Sequence, residues 1–313
     1  MKKPRLALQT LRLRCFKAVR DSGIVRFTPL TAFIGNNGSG KSSLIEALEA
    51  LQTMVLQGLD EAMAPWRGFD HVWNKAVTHR PAEDDVGRVF LRNPLSFSVT
   101  GTLGEVPFGG ELEVSTDPGG NTVFVTRQDS TLPRPDTGPG KEDRFRVLAP
   151  GWREFVQGWQ FLNLTPQAML YPQLQRQSRG EIRLARDGAN LAQFLLSIHD
   201  EDPLVLEGIA DSLQAVLPYA TDLRPGITRE LGRNVYLQLH ESGLEEPLVG
   251  WLLSQGTLRT VALLAVLRHP RPPTVVFIEE LENGLDPRTI HLIVEELRSF
   301  TLAGGQVVAT THS

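Results

Sequence analysis

The segment Thr31–Leu48, TAFIGNNGSGKSSLIEAL, constrains this chain more than any other part of it. Ala32, Phe33 and Ile34 read as a short apolar strand, and Lys41, Ser42 and Ser43 as the first turn of a helix that follows a glycine-rich turn. Gly35, Gly40, Lys41 and Ser42 have the spacing G-x-x-x-x-G-K-[ST] of a phosphate-binding loop. Glycines let consecutive backbone N–H groups turn inward around an anion, and the helix that follows aims its positive end at the same point. Gly35, Asn36, Asn37, Gly38, Ser39, Gly40, Lys41, Ser42 and Ser43 are therefore the expected phosphate cradle. Lys41 should reach the β/γ-phosphates and Ser42 should offer its hydroxyl to Mg²⁺.

The 313 residues are 41% hydrophobic and 22% charged, enough for a sizeable core in one large domain with an insertion or in two domains. A net charge of -4 argues against a uniformly basic coat for nucleic acid, although a local basic groove fits the same total. Cys15 is the only cysteine, so an internal disulfide and a thiolate metal cluster are excluded, which suits a reducing cytosol. Gln9, Arg12 and Arg14 interrupt the apolar stretch that a signal peptide would need, and no run has the length of a membrane span. A cytoplasmic location is expected.

Leu11, Leu13 and Cys15 alternate with Arg12 and Arg14 as in a half-buried strand, and Ile24–Phe27 reads as a second. Leu44, Ile45, Leu48, Leu51, Val55 and Leu56 recur at helical spacing, so the helix from Lys41 should run to about Gln57. His71 and His79 have no further ligand spacing around them and read as packing or surface residues. Leu95–Leu103, Phe108–Ser115 and Thr122–Arg127 form an expected β-meander, followed by a Pro- and Gly-rich mobile loop over Asp129–Asp143. Helices are expected over Trp152–Phe161, Leu191–Ile198 and Pro203–Val216, and a strand over Val235–His240. Arg176, Arg179, Arg183 and Arg186 read as a solvated basic face in preference to a phosphate-backbone contact.

Chemistry returns toward the C-terminal end. Leu253-Ser254-Gln255-Gly256-Thr257 opens an apolar helix whose unpaired N–H groups make a second anion site. Thr274–Ile278 has the length and β-branched content of a strand buried on both faces, and it ends in Glu279-Glu280. Two adjacent carboxylates there are costly unless something positive sits opposite, and this is the sheet edge at which α/β proteins bind ligands. Asp286-Pro287 caps a helix with Ile290, Ile293, Val294 and Leu297 on its buried face, and Gln306–Thr310 is a final strand before Thr311-His312-Ser313.

GNNGSGKS, LSQGT, VVFIEELENGLDP and THS, in that order, resemble the ATP-binding-cassette ATPase core. Within that class the chain resembles the soluble branch that includes SMC- and RecF-like proteins and ATPases related to overcoming-lysogenization-defect (OLD) nucleases. The resemblance runs from Leu11 to the end and takes in DGANLAQFL at Asp187–Leu195. It implies an α/β P-loop NTPase core with an inserted β-meander and a helical subdomain. The corresponding division is 1–60 and 246–313 for the two parts of the core, 61–150 for the β-rich arm and loop, and 151–245 for the helical part.

By that resemblance Gly35–Ser42 is Walker A, Glu279 the Walker B acid on Mg²⁺, Glu280 the base that orients the attacking water, and His312 the switch histidine on the γ-phosphate. Ser254 and Gly256 match the signature that completes the site of a partner subunit, and Asp286 matches the dimer-contacting D-loop. ATP and Mg²⁺ are the implied ligands, a homodimer the implied assembly, and DNA and a nuclease or effector the implied further partners, with no membrane. Glu279 stands where relatives carry aspartate, the signature reads LSQGT rather than LSGGQ, and Leu281 stands where many have proline. Gln160 and Gln167 are the two candidates for a Q-loop glutamine. Relatives usually continue past the switch histidine, so a further C-terminal segment and a shortened tail both stay open. A transporter cassette is disfavoured by the long insertion between Walker A and the signature.

Overall fold

The computed structural model describes residues 6–78, 80–83, 87–131, 150–176, 180–228 and 232–312. His79, Arg179, Ser313 and, of the mobile loop expected over Asp129–Asp143, the part from Leu132 on lie outside the described residues, while Asp129 and Ser130 end a strand instead. The chain divides into two compact units, Met1–Trp159 with Thr310–Ser313, and Gln160–Ala309.

The first unit opens with β1 (Leu6–Phe16), β2 (Val19–Asp21), β3 (Val25–Arg26) and β4 (Leu30–Ile34), and continues into α1 (Lys41–Leu56) and the short α2 (Leu59–Met63). A small ladder of β5 (Pro81–Glu83) and β6 (Val89–Leu91) precedes the long strands β7 (Leu95–Leu103), β8 (Val106–Thr116) and β9 (Val123–Ser130), and α3 (Pro150–Gln157) follows. The meander β7–β8–β9 continues the sheet that β1 opens, in the order β2-β1-β7-β8-β9, with β3 also on β1. Leu13 pairs with Phe97, which pairs with Leu112, so three buried side chains stand abreast on one face. Arg12 and Arg14, between the buried positions of β1, both reach the Asp21 carboxylate of β2.

α1 buries Ile45, Leu48, Leu51 and Met54, and Gln52 from the same helix donates to the carbonyls of Val156 (2.7 Å) and Trp159 (3.0 Å). That bond fixes the end of α3, whose Trp152 and Phe155 meet Phe108 edge to face at 5.5 and 4.6 Å. The helix expected over Trp152–Phe161 is thus shorter: it ends at Gln157, and Trp159–Leu162 is instead strand β10. The four residues after Gly158, Trp159-Gln160-Phe161-Leu162, are too few to show a helical period, and all four are buried, which suits a strand covered on both faces.

In the second unit β10 neighbours β15 (Val275–Ile278), which runs parallel to β16 (Gln306–Thr311) with Val275 opposite Gln306 and Ile278 opposite Ala309. Phe161 and Phe277 stack face to face at 4.4 Å across the first pair. Between them in sequence come β11 (Gln173–Leu174), α4 (Leu191–Glu201), α5 (Pro203–Gln214), β12 (Ala220–Ile227), β13 (Asn234–Glu241), β14 (Leu248–Val249) and α6 (Gln255–Leu267), and α7 (Pro287–Leu302) joins β15 to β16. One core of Leu195, Ile209, Leu213, Leu223, Val261, Leu264, Ile278 and Ile293 joins both faces of this unit. β12 is absent from the sequence reading. It contains Pro225 and Gly226, and a register shift between Ala220 and Asp222 breaks its alternation. No helix among the described residues is long and apolar enough to cross a membrane.

Candidate nucleotide site

α1 begins on Lys41, and Gly40 before it is left-handed at φ 92°, as is Gly38 at φ 80°. Any other L-residue at either place would carry a strain of about 1–2 kcal/mol. Gly35 sits close under the loop, and a Cβ there would lie 3.2 Å from Ser39 Oγ, so that the serine side chain would have to shift. No side chain caps α1, whereas the Ser254 hydroxyl caps α6 and the Asp286 carboxylate caps α7. The first-turn amides of α1 thereby keep the partial positive charge that draws an anion. Lys41 Nζ donates to the carbonyl oxygens of Gly35 and, at 3.0 Å, Asn36. Its partners are loop carbonyls that an incoming phosphate can replace. Asn36, Asn37, Gly38, Ser39 and Ser42 are exposed, and Ser43 is half-buried.

The second unit carries the acidic residues. Glu279 follows β15 and is buried, its backbone N–H donating to Leu162 at the end of β10 (2.8 Å) and its carboxylate accepting from Arg186 Nη2 at 2.5 Å. Glu280 is exposed and left-handed at φ 50°, an uncommon place for a residue with a side chain. Three bonds hold it there. Arg259 Nη2 donates to its carbonyl (2.7 Å), Asn283 N donates to the same oxygen (3.0 Å), and Asn283 Nδ2 donates to Oε2 (3.1 Å).

Arg259 comes from α6, two residues beyond the candidate signature, and its Nη1 donates to the Leu164 carbonyl at 2.7 Å. Burial pulls its guanidinium below the ordinary value, opposed by the carboxylates of Glu280 and Glu282. Arg259→Met keeps the apolar stem but takes the guanidinium from the Leu164 carbonyl and leaves the Glu280 carbonyl with Asn283 N. It is expected to lower stability by about 2–3 kcal/mol in urea unfolding, and a loss below about 0.5 kcal/mol would show that water replaces the guanidinium.

Ser254 Oγ accepts from Thr257 N (3.0 Å) and lies 2.8 Å from Thr257 Oγ1. A Cβ on Gly256 would come within 2.8 Å of the Gly284 carbonyl, so a glycine is what lets the start of α6 touch the turn after Glu280. Asp286 accepts from Thr289 Oγ1 (2.5 Å), Arg288 N and Thr289 N; the Thr289 hydroxyl, followed by those amides, holds its carboxyl below the usual range. Ser254, Gly256, Glu279, Glu280 and Asp286 all belong to the second unit, where Gly256 lies against Gly284 and Arg259 bonds the Glu280 carbonyl, while the loop of Gly35–Ser43 belongs to the first. His312 is exposed just after β16. Gln160 is buried and donates to the Leu184 (2.9 Å) and Phe161 carbonyls, a structural use, and Gln167 is exposed.

Arg186 sits in the turn that opens α4. Asn190 Oδ1 accepts from Ala185 N (2.7 Å), Asn190 Nδ2 donates to the Arg183 carbonyl (2.8 Å), and Asp187 Oδ1 accepts from Ala189 N (2.9 Å). Gly188 is left-handed at φ 80°, and a Cβ on it would fall 2.3 Å from Met169 Cε. Gly188→Ala is accordingly expected to cost about 2 kcal/mol, read as a lowered midpoint of denaturant unfolding; an unchanged midpoint would mean that the turn adapts. Sequence reading took Arg186 for a solvated charge and passed over Arg259 and Asn283. The signals were faint: one arginine in a run of four, one charge on an otherwise apolar helix, and one asparagine after the acidic pair.

A glycine-rich loop leading into α1, a parallel β15–β16 pair with Glu279-Glu280 after β15, and an α/β layering are those of a P-loop NTPase fold of the ATPase class. Residues 30–313 match the family described as "AAA domain, putative AbiEii toxin, Type IV TA system", and the chain belongs to that family. Among curated proteins no match was found. Solved structures that share the fold include two SMC heads. An SMC head bound to the C-winged helix domain of ScpA superposes with a TM-score of 0.58 at 12% identity, over 98% of this chain and 89% of that one. An Smc head with an extended coiled coil, bound to the C-terminal domain of ScpA derived from Pyrococcus furiosus, gives 0.55 at 11% identity, over 98% and 90%.

Proposed function

We propose that this chain is a Mg²⁺-dependent ATPase that works as a head-to-tail homodimer with ATP held between the phosphate loop of one copy and the signature helix of the other. The observation that carries it is the uncapped start of α1, wrapped by Gly35–Gly40 and headed by Lys41. In this reading Lys41, Ser42 and Ser43 bind the phosphates with the loop amides, and His312 meets the γ-phosphate. Glu280 orients the attacking water, and Ser254, Gly256 and Asp286 act across the dimer.

Ser42 and Glu279 would hold Mg²⁺. Both are hard oxygen donors, and the Glu279 carboxylate already carries a cationic group against one oxygen, which supports the assignment. Bound with ATP, Mg²⁺ would neutralise charge on the β- and γ-phosphates. Kinship with the OLD-related ATPases is proposed on the order of the motifs alone.

A switch coupled to a partner protein is supported by the family's description as part of a Type IV TA system and by the ScpA domains on the two SMC heads. DNA and a nuclease or effector are the proposed partners, in repair or phage defence, in the cytoplasm. The pairing of Arg186 with Glu279 favours slow turnover, in which ATP gates binding rather than powering continuous work. Phosphate release measured with and without DNA tests the reading. Brisk hydrolysis that ignores DNA favours a plain enzyme, and no ATP binding under any condition would sink both forms.

A further inference from the structure

We infer that Arg186 stands in for a divalent cation on Glu279 and must be displaced before Mg²⁺ can use that carboxylate. This rests on reading Glu279 as a metal-associated acid. A carboxylate as enclosed as that of Glu279, 6% exposed, is costly to keep charged without a cation against it, and the 2.5 Å contact from Arg186 supplies one.

The pair is positioned by the backbone. Leu162, Asn163 and Thr165 are consecutive or nearly so: the Leu162 carbonyl accepts from Glu279 N (2.8 Å), Asn163 N donates to the Arg186 carbonyl (2.7 Å), and Thr165 N donates to the Asp187 carbonyl (2.9 Å). A single short run of chain after β10 therefore holds both ends of the ion pair. The bonds of Asn190 and Asp187 and the left-handed Gly188 keep the Arg186 turn in shape. Arg183, three residues earlier, pairs instead with its exposed neighbour Glu181, so the two arginines have different surroundings.

Exposure is lopsided. The Arg186 side chain is 37% exposed, so it can swing toward water, while its enclosed partner cannot follow. Exchange of one cation for another at Glu279 then proceeds by departure of the guanidinium. Two cations that compete for one carboxylate weaken the apparent affinity of the incoming one by the fraction of time its place is taken. Arg186 is in this sense a positioning residue for the acid and a brake on metal entry, which makes the nucleotide-free chain self-neutralised.

The test follows ATP binding by the full chain in calorimetry and by its melting temperature as Mg²⁺ is titrated at fixed ATP, with ATP in EDTA as the baseline. Arg186→Gln is expected to lower the half-saturating Mg²⁺ about tenfold while leaving ATP affinity in EDTA within about twofold. Arg186→Lys keeps the charge without the planar fork and should shift the midpoint in the same direction by about two- to threefold, a readout that stands even if the glutamine variant does not fold. In a Glu279→Gln background, Arg186→Gln should have no further effect on the Mg²⁺ midpoint, because the contested carboxylate is gone. An unchanged or raised midpoint in the single variants, or an effect that survives in the Glu279→Gln background, overturns the inference while leaving the ATPase reading in place. Failure of the wild-type chain to bind ATP in either Mg²⁺ or EDTA overturns the phosphate-loop reading, and the inference falls with it.

Discussion

Lys41→Ala is expected to abolish measurable ATP binding, with a loss in affinity of at least about a hundredfold, or roughly 3 kcal/mol. Among the described residues Lys41 donates to the carbonyls of Gly35 and Asn36, contacts of a half-buried ammonium at the loop itself. Truncation should therefore leave α1 and its buried face of Ile45, Leu48 and Leu51 as they are. The melting temperature of the variant without nucleotide should match that of the wild type, and the rise that ATP produces in the wild type should vanish. The left-handed glycines and the uncapped amides remain in the variant, so residual weak binding of the triphosphate is compatible with the reading. Wild-type affinity for ATP in Lys41→Ala, measured by calorimetry, would remove this loop from the site altogether. Lys41→Arg is a useful companion, because it keeps the charge while changing a compact ammonium into a planar fork too large for the same cradle.

Much of the architecture is legible because its signals are local. The phosphate loop announces itself through glycines whose conformations no other residue adopts cheaply, and Gly38 and Gly40 are indeed left-handed. α7 is marked by Asp286 and Pro287 at its start and by Ile293 and Leu297 on its buried face. β15 is marked by an apolar run bounded by Pro273 and the acidic pair, and all four of its residues are buried. What stayed hidden depends on partners far away in the chain. That β7 would pair with β1, Leu11 against Val99, is a choice among strands that alternation by itself does not make. β10 looked helical because so short a stretch, with Trp159, Phe161 and Leu162 around Gln160, fits either period, and only its cover on both faces decides.

The same distinction separates the parts of the candidate site. Gly35–Ser43, Ser254, Gly256 and the Glu279-Glu280 pair are visible as motifs, since each is a contiguous pattern with its own chemistry. Arg186 and Glu279 are 93 positions apart, and nothing local distinguishes Arg186 from Arg176 or Arg183. Arg259 lies on a helix buried from Thr257 through Leu267, so the 3.6-residue period that normally tells inside from outside has no outside to report. A charge in such a helix is informative for that very reason: it must find polar partners within the protein, and here they are the carbonyls of Leu164 and Glu280.

Glu280→Gln is the second decisive substitution, and its expected effect is a fall in ATP turnover of about 10²–10⁴-fold, the range over which a positioned base contributes. Glutamine has nearly the same shape as glutamate and retains an amide oxygen to accept from Asn283 Nδ2, the contact now at 3.1 Å. The backbone bonds from Arg259 and Asn283 go to the carbonyl of residue 280 and are indifferent to its side chain. The left-handed conformation at φ 50° should therefore persist, and urea unfolding should be unchanged within about 0.5 kcal/mol. Such a conformation costs about 1–3 kcal/mol, and it is held by an arginine rooted in the helix that Ser254 opens, so the strain is tied to the element proposed to read a partner's nucleotide. If the base is removed while binding is preserved, ATP should accumulate in the closed state, and the variant with Mg²⁺ and ATP should elute as a dimer in size-exclusion chromatography while the wild type returns to monomer as it turns over. A Glu280→Gln chain that hydrolyses ATP at the wild-type rate would take the role of base away from Glu280 and leave its strained backbone to be explained by the contact with Arg259 alone.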